Sequence, residues 1–215
     1  TMAQVPTGTL FFIASAYAAA KTVTIATNAT EAVITALAHG YSNGDVVEIT
    51  SGWGRINRRV YEVGAVTTDT FKLVGQDTTN TTFFPAGLGI GSVRKVTAFQ
   101  QITSIVSASS SGGDAKPVEY KFLESDVSYT INDGFSATSY NMEMDADSFG
   151  SAGYSSLKTL TEVQTDTCLK MTTRNGARIY QPCTVALNES VSLNDGQINK
   201  IKCAFNGNNR LTRFA

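Results

Sequence analysis

Asn175-Gly176 lies between two short runs of β-favouring residues, Thr167-Cys168-Leu169-Lys170-Met171-Thr172-Thr173 and Arg178-Ile179-Tyr180-Gln181-Pro182-Cys183-Thr184-Val185. No other local feature of the chain constrains its fold as much, because a two-residue type I′ turn needs positive φ at both centres and Asn-Gly supplies it. With Asn175 and Gly176 as those centres, Met171 faces Tyr180 and Leu169 faces Pro182, both at non-hydrogen-bonded positions. A proline has no N–H to give and suits such a place. The same register sets Cys168 opposite Cys183 at a hydrogen-bonded pair, where Cα atoms about 5.5 Å apart leave a disulfide sterically open. Against a disulfide, no basic segment precedes the longest apolar run, Leu10–Ala20, which is also too short to span a bilayer. Neither secretion nor membrane anchoring is expected, and thiols that stay inside a cell remain reduced. Cys168, Cys183 and Cys203 are an odd number and are expected as free, buried thiols that behave as small hydrophobes.

Only 16% of the residues are charged, and the formal net charge is −1. Ser, Thr, Asn and Gly fill the space that charge occupies in an average domain, and with abundant Thr, Val, Ile, Phe and Tyr they favour strands over helices. A balanced charge without a basic patch argues against a nucleic-acid-binding protein. His39 is the only histidine and sits in the turn Gly40-Tyr41-Ser42-Asn43, where it is expected to order the backbone. No G-x-S-x-G, HExxH, CxxC or P-loop pattern accompanies it, so the chain does not read as an enzyme, and no cofactor or metal is implied.

Residues 22–91 carry a strand and turn pattern of their own. Thr22–Thr27, Asp45–Thr50, Arg59–Val63 and Phe71–Val74 alternate or run as short strands between Gly- and Asn-rich turns, the signature of a small barrel or sandwich. The remainder, residues 1–21 and 92–215, continues with one or two strands over Val93–Val106. The polar run Ser107–Asp114 is expected to stay unordered on its own, which singles out Ser109, Ser110, Gly112, Gly113 and Asp114 as a flexible link. Val118–Phe122 and Val127–Ile131 alternate cleanly, and Asn132-Asp133-Gly134 is expected to turn the chain into Phe135–Asp147. One short helix is expected at about Gly153–Val163, with Leu157, Leu160 and Val163 as its apolar stripe. Glu143, Asp145 and Asp147 alternate with Tyr140, Met142, Met144 and Ala146. That spacing gives a strand with one wet acidic face rather than a calcium loop.

The ending Leu193-Asn194-Asp195-Gly196-Gln197-Ile198, Ile201-Lys202-Cys203-Ala204-Phe205, then Asn206-Gly207 and Arg210–Phe214, after the Asn-Gly hairpin, resembles the major tail tube proteins of long flexible-tailed bacteriophages. The resemblance covers residues 1–21 and 92–215 and rests on the ordered series rather than on any one motif. Within 22–91, Ala38-His39-Gly40-Tyr41-Ser42-Asn43-Gly44-Asp45 and Thr68-Asp69-Thr70-Phe71-Lys72-Leu73 resemble a small β module recurrent in phage tail proteins. The resemblance implies a mainly β fold: a sandwich- or barrel-like core with one short helix, and the inserted barrel-like module on the outer surface. It also implies homo-hexameric rings stacked into the virion tail, assembled in the host bacterial cytoplasm, with tail terminator, tape measure and distal tail proteins as partners. Viral DNA would pass through without specific binding. On that reading Glu143 and Asp145 face the lumen, and Ser109–Asp114 with the two chain termini link the rings. The competing reading is a carbohydrate- or receptor-binding module of a tail fibre or surface protein, with Trp53 and Tyr41 as the binding aromatics.

Overall fold

The computed structural model describes residues 7–215. The first six residues, part of the expected core and of the expected N-terminal link, lie outside it. Short strands dominate. β1 (Leu10–Tyr17), β2 (Lys21–Val23), β3 (Ile25–Ala26), β4 (Val33–Thr35), β5 (Val46–Ser51), β6 (Arg59–Gly64) and β7 (Thr70–Leu73) lead to a long β8 (Gly91–Ile102). There follow β9 (Ile105–Ser111), β10 (Ala115–Tyr120), β11 (Tyr129–Phe135) and β12 (Ser139–Asp145), then a 3-10 turn at Ala146–Ser148 and the helix α1 (Ala152–Val163). β13 (Thr167–Thr172), β14 (Arg178–Ser192), β15 (Lys200–Gly207) and β16 (Thr212–Phe214) complete the chain. The fold is mainly β with one helix, as its composition implied.

One antiparallel sheet runs in the order β3-β4-β7-β6-β5-β8-β1-β13-β14-β15-β12-β9, with β16 on β14 and β2 on β8. The apolar run at the start of the chain supplies the middle strand β1, paired on both sides by β8 and β13. Ile13 enters one apolar cluster and Ala14 the other, so the middle of β1 is covered on both faces, while Leu10, Ser15 and Ala16 stay exposed.

The Asn-Gly hairpin forms one residue out of the expected register. Thr172 pairs with Arg178, Met171 with Ile179, Leu169 with Gln181 and Cys168 with Pro182. Three residues loop out instead of two. Thr173 N–H donates to Ala177 O at 2.9 Å, Gly176 N–H donates to Thr173 O at 2.9 Å, and Gly176 alone takes positive φ, +86°. This is the three-residue turn closed by a glycine bulge. It is held by Asn175 Oδ1, which accepts from Thr173 Oγ1 and from Ala177 N–H. A slip of one residue exchanges the faces. Met171 and Tyr180, expected side by side, enter different apolar clusters. Counted from the Thr173–Ala177 pair, Pro182 still falls at a non-hydrogen-bonded position, so the proline argument survives the slip. Cys183 now faces Thr167, and all three thiols are free and buried.

The two clusters lie on opposite sides of the shared sheet. One holds Ile13, Met142, Met144, Leu169, Cys183, Cys203 and Phe205 beneath α1. The helix begins at Ser151, whose Oγ accepts from Tyr154 N–H at 3.2 Å, and ends at Gln164 in the left-handed region. Its buried stripe is Tyr154 and Leu157, while Val163, expected in that stripe, is 60% exposed at the last turn. Gly153 is required for contact: a Cβ there would stand 2.4 Å from the Gln101 carbonyl oxygen of β8.

The other cluster fills the lobe built from β2 to β8 around Trp53, Tyr61, Phe71 and Val93, and it takes in Ala14, Cys168, Tyr180 and Phe214 from the rest of the chain. The boundary expected at 91/92 falls inside β8, whose first half pairs with β2 and β5 and whose second half pairs with β1. The lobe is thus seated on the core rather than tethered to it. Arg178 binds Glu62 through Nε and Nη2, and Tyr180 Oη donates to Glu62 at 2.9 Å. Arg94 bridges the buried Glu48 and the Asp166 carbonyl.

Candidate assembly surfaces

β12 keeps its alternation. Met142 and Met144 are buried against the helix-side cluster, and Asn141, Glu143 and Asp145 point the other way. Directly opposed residues of an antiparallel pair share a face, so the register extends this surface across four strands. One row is Ser107, Glu143, Lys202 and Asn188; the next is Ser109, Asn141, Ala204 and Ala186; the third is Ser111, Ser139, Asn206 and Thr184. The grid is small, polar and nearly uncharged.

Glu143 does not stand as a free carboxylate. Lys200 Nζ lies 3.3 Å from Oε2, Lys202 Nζ lies 3.9 Å from Oε1, and Ser107 Oγ donates at 3.3 Å. The hydrogen bond and positive charge of Lys200, with smaller help from Ser107 and Lys202, hold its carboxyl below the usual range. Asp145, opposite Lys200, accepts Asp147 N–H at 3.0 Å and caps the 3-10 turn. That turn ends the alternation, so Asp147 leaves the strand face on which it was expected.

The polar run after Val106 is not a disordered link. Ile105–Ser111 form β9, so Ser109 and Ser110 are strand residues paired to Asn141 and Tyr140. The pairing answers the entropy argument, since a neighbouring strand supplies the hydrogen bonds that buried apolar surface does not. β9 ends the sheet, with β12 as its one partner, and carries no charged residue and no proline. Natural edge strands are normally blunted by such residues, and a bare one is a template for another chain. Gly112 and Gly113, at φ +80° and +83°, turn the backbone out of the sheet, and a Cβ on Gly112 would meet the Ala137 carbonyl oxygen at 2.0 Å. Asp114 N–H donates to Ser136 Oγ at 3.1 Å and closes the corner.

Beyond that corner stands an arm. Among the described residues β10 and β11 pair only with each other. Asn132-Asp133-Gly134, expected as a turn, lies within β11 beside a register shift, and the reversal comes earlier, around Leu123. Val118, Tyr120, Phe122, Tyr129 and Ile131 are all exposed, and Leu123 at the tip is fully so. Tyr120, Phe122 and Tyr129 touch one another, with ring centroids 5.5 to 5.9 Å apart. An isolated two-stranded hairpin is marginal in water, and a contiguous apolar patch marks an interaction surface. This surface was missed from the sequence, although the alternation at 118–122 and 127–131 was legible. Alternation shows an apolar face but not which partner, if any, covers it.

The aromatics of the competing reading are unavailable. Trp53 is 1% exposed, with Nε1 donating to Pro85 O, and Tyr41 is 8% exposed. His39 is buried between Tyr41 and Phe71, and its Nδ1 accepts Tyr41 N–H at 3.0 Å, the turn-ordering role expected of it.

No curated protein matches the chain. Among solved structures it is similar to a chain of the virion of a native gene transfer agent particle, at 14% identity and a TM-score of 0.43, covering 54% of this chain and 89% of that one. It is also similar to a chain in the tail of an empty gene transfer agent particle with C6 symmetry, at 14% identity and a TM-score of 0.41, covering 54% of this chain and 87% of that one. A family model described as phage tail tube protein matches residues 51–215, most of the sequence, and the chain belongs to the phage tail tube protein family.

Proposed function

We propose that copies of this chain close into hexameric rings, that the rings stack head to tail into the tube of a virion tail, and that the tube conducts DNA without bond-making chemistry. The observation that carries the reading is the β10–β11 arm, an apolar two-stranded hairpin to which no third strand is added among the described residues. The bare β9 edge supports it from a second direction, because strands added there would continue the sheet from subunit to subunit and remove the edge. A head-to-tail contact that does not close on itself yields a filament by symmetry.

In this arrangement the grid bearing Glu143 and Asp145 faces the lumen. Ser109–Asp114 act in the links between copies as an edge and a corner rather than as a loose loop. Residues 22–91 decorate the outer surface, seated on the core by Glu62 and Arg178. Tail terminator, tape measure and distal tail proteins would meet the two ends and the interior of the tube, after assembly in the host bacterial cytoplasm.

Negative-stain imaging and sedimentation of the purified chain test the proposal. The wild type should form rings and tubes. A variant with Val118→Ser, Tyr120→Ser and Tyr129→Ser should keep its circular dichroism and remain small. Tubes of normal length from that variant would refute the role of the arm.

A further inference from the structure

At the foot of the arm, between it and the β2–β8 lobe, lies an open cavity of about 1030 Å³. Four cations line it, Arg55, Arg59, Lys116 and Arg210, beside the apolar side chains of Phe84 and Leu211. Among the described residues none of the four cations forms a salt bridge. The one carboxylate on the lining, Asp77, spends its Oδ1 on Thr79, accepting from N–H at 2.8 Å and from Oγ1 at 2.7 Å. Arg59 Nε is buried without any hydrogen-bond partner. Its Nη atoms are spent on Gln76 Oε1 and the Arg55 and Leu211 carbonyls, so the pull on an anionic occupant comes from Arg55, Lys116 and Arg210, like charges gathered on one concave wall with no described carboxylate paired to them.

The arm's own tip has the complementary chemistry. Leu123 is fully exposed, and Glu124 and Asp126 beside it take part in no described salt bridge. One copy cannot satisfy itself. Lys116 at the cavity and Leu123 at the tip belong to one extended limb, which separates them by roughly 20–25 Å at about 3.3 Å per residue.

We infer that the tip of the arm, Leu123 to Asp126, seats in the basic cavity at the foot of the arm of a second copy, with Leu123 against Leu211 and the exposed Phe135 of the lining and the two carboxylates toward the cations. The inference rests on the tail tube reading and adds to it the address at which one copy receives the next. Tip and seat are different surfaces of the chain, so the contact is heterologous and propagates.

Charge reversal tests it in the full chain. Glu124→Arg with Asp126→Arg, or Arg55→Glu with Lys116→Glu, should each raise the critical concentration for tube formation at least tenfold with the circular dichroism unchanged. All four changes in one chain should restore assembly to within about threefold. A second measurement avoids charge altogether. Leu123→Cys combined with Arg55→Cys should give a ladder of disulfide-linked oligomers on oxidation of assembled protein, since the three native thiols are buried. Either substitution alone should give no ladder. If wild-type protein forms neither rings nor tubes, both readings fall. If it forms tubes and the reversal variants do too, or if no ladder appears, the seat is wrong and the tail tube reading stands.

Discussion

Raising the pH above 9 should unfold this protein through its thiols before any other group. Cys168, Cys183 and Cys203 are each at most 1% exposed. Burial pushes Cys183 up to about 12 and raises Cys168 and Cys203 well above the ordinary thiol range. In the unfolded chain a thiol loses its proton near 8.5–9. Above that point the unfolded state binds fewer protons than the folded one, so stability must fall as pH rises. The stability these thiols supply is therefore complete below about pH 8.5 and is lost on the way to the folded-state values. Each contributes about 1.4 kcal/mol per pH unit, so three give a slope of about 4 kcal/mol per unit once all are ionised when unfolded. A domain holds about 5–15 kcal/mol in total, and one to three pH units would consume much of it. Above pH 10 the buried phenols of Tyr17, Tyr61 and Tyr180, all raised chiefly by burial, steepen the loss. Urea titrations under reducing conditions from pH 7 to 10.5 measure the slope. The triple change Cys168→Ala, Cys183→Ala and Cys203→Ala should remove it between pH 9 and 10 while lowering stability everywhere. A slope under about 1.4 kcal/mol per unit in the wild type, or the same slope in the triple variant, would refute the argument.

Gly153→Ala should destabilise the monomer by about 2 kcal/mol in urea, because the clash with β8 outweighs the roughly 1 kcal/mol that alanine gains in a free helix. Stabilisation would mean the helix stands further from the sheet. Glu62→Gln should cost about 1–2 kcal/mol, discounted for the partial exposure of Arg178. A double-mutant cycle with Arg178→Gln should show coupling above 0.5 kcal/mol, and additivity would mean the β2–β8 lobe is held by apolar contact alone. Ser109→Lys with Ser110→Lys should leave the exposed β9 folded and abolish tubes on sedimentation. Glu143→Gln should leave tubes intact yet make them retain DNA at low salt, and retention equal to wild type would place that face away from the channel.

Strand positions and the single helix were readable because period-two alternation and a threefold stripe are local properties. The errors fall where a second element decides. Asn175-Gly176 suits either a two- or a three-residue turn; the choice went to the register that sends Met171 to the helix side and Tyr180 to the β2–β8 lobe, a demand made by packing on both faces. Ser107–Ser111 look too polar to order, and they are ordered by backbone pairing with β12, which composition does not display. The pattern of 22–91 reads as an independent unit because its turns are its own. Its contacts with Tyr180, Phe214 and Arg178 come from residues distant in sequence, which its own pattern does not display. The carboxylates of β12 were legible as a face, but their charge balance was not, since Lys200 and Lys202 belong to a strand whose pairing had not been assigned.

That balance changes how a channel wall of this composition would treat DNA. Glu143 and Asp145 taken alone would make a repulsive lining. Around Glu143 the structure sets one carboxylate against two lysines, amid Ser, Asn, Thr and Ala. Two unpaired lysines in every copy would each release counterions on meeting a phosphate and add about 0.9 to the salt slope of binding. Repeated around each ring and along a tube, even weak contacts of that kind would arrest a moving duplex. Glu143 occupies both ammonium groups at once, and its lowered pKa means the carboxylate stays ionised even in mildly acidic solution. On a channel wall the carboxylate would silence its neighbours rather than repel the genome. The short polar side chains beside it offer hydrogen bonds too weak and too interchangeable to hold any one register of the passing strand.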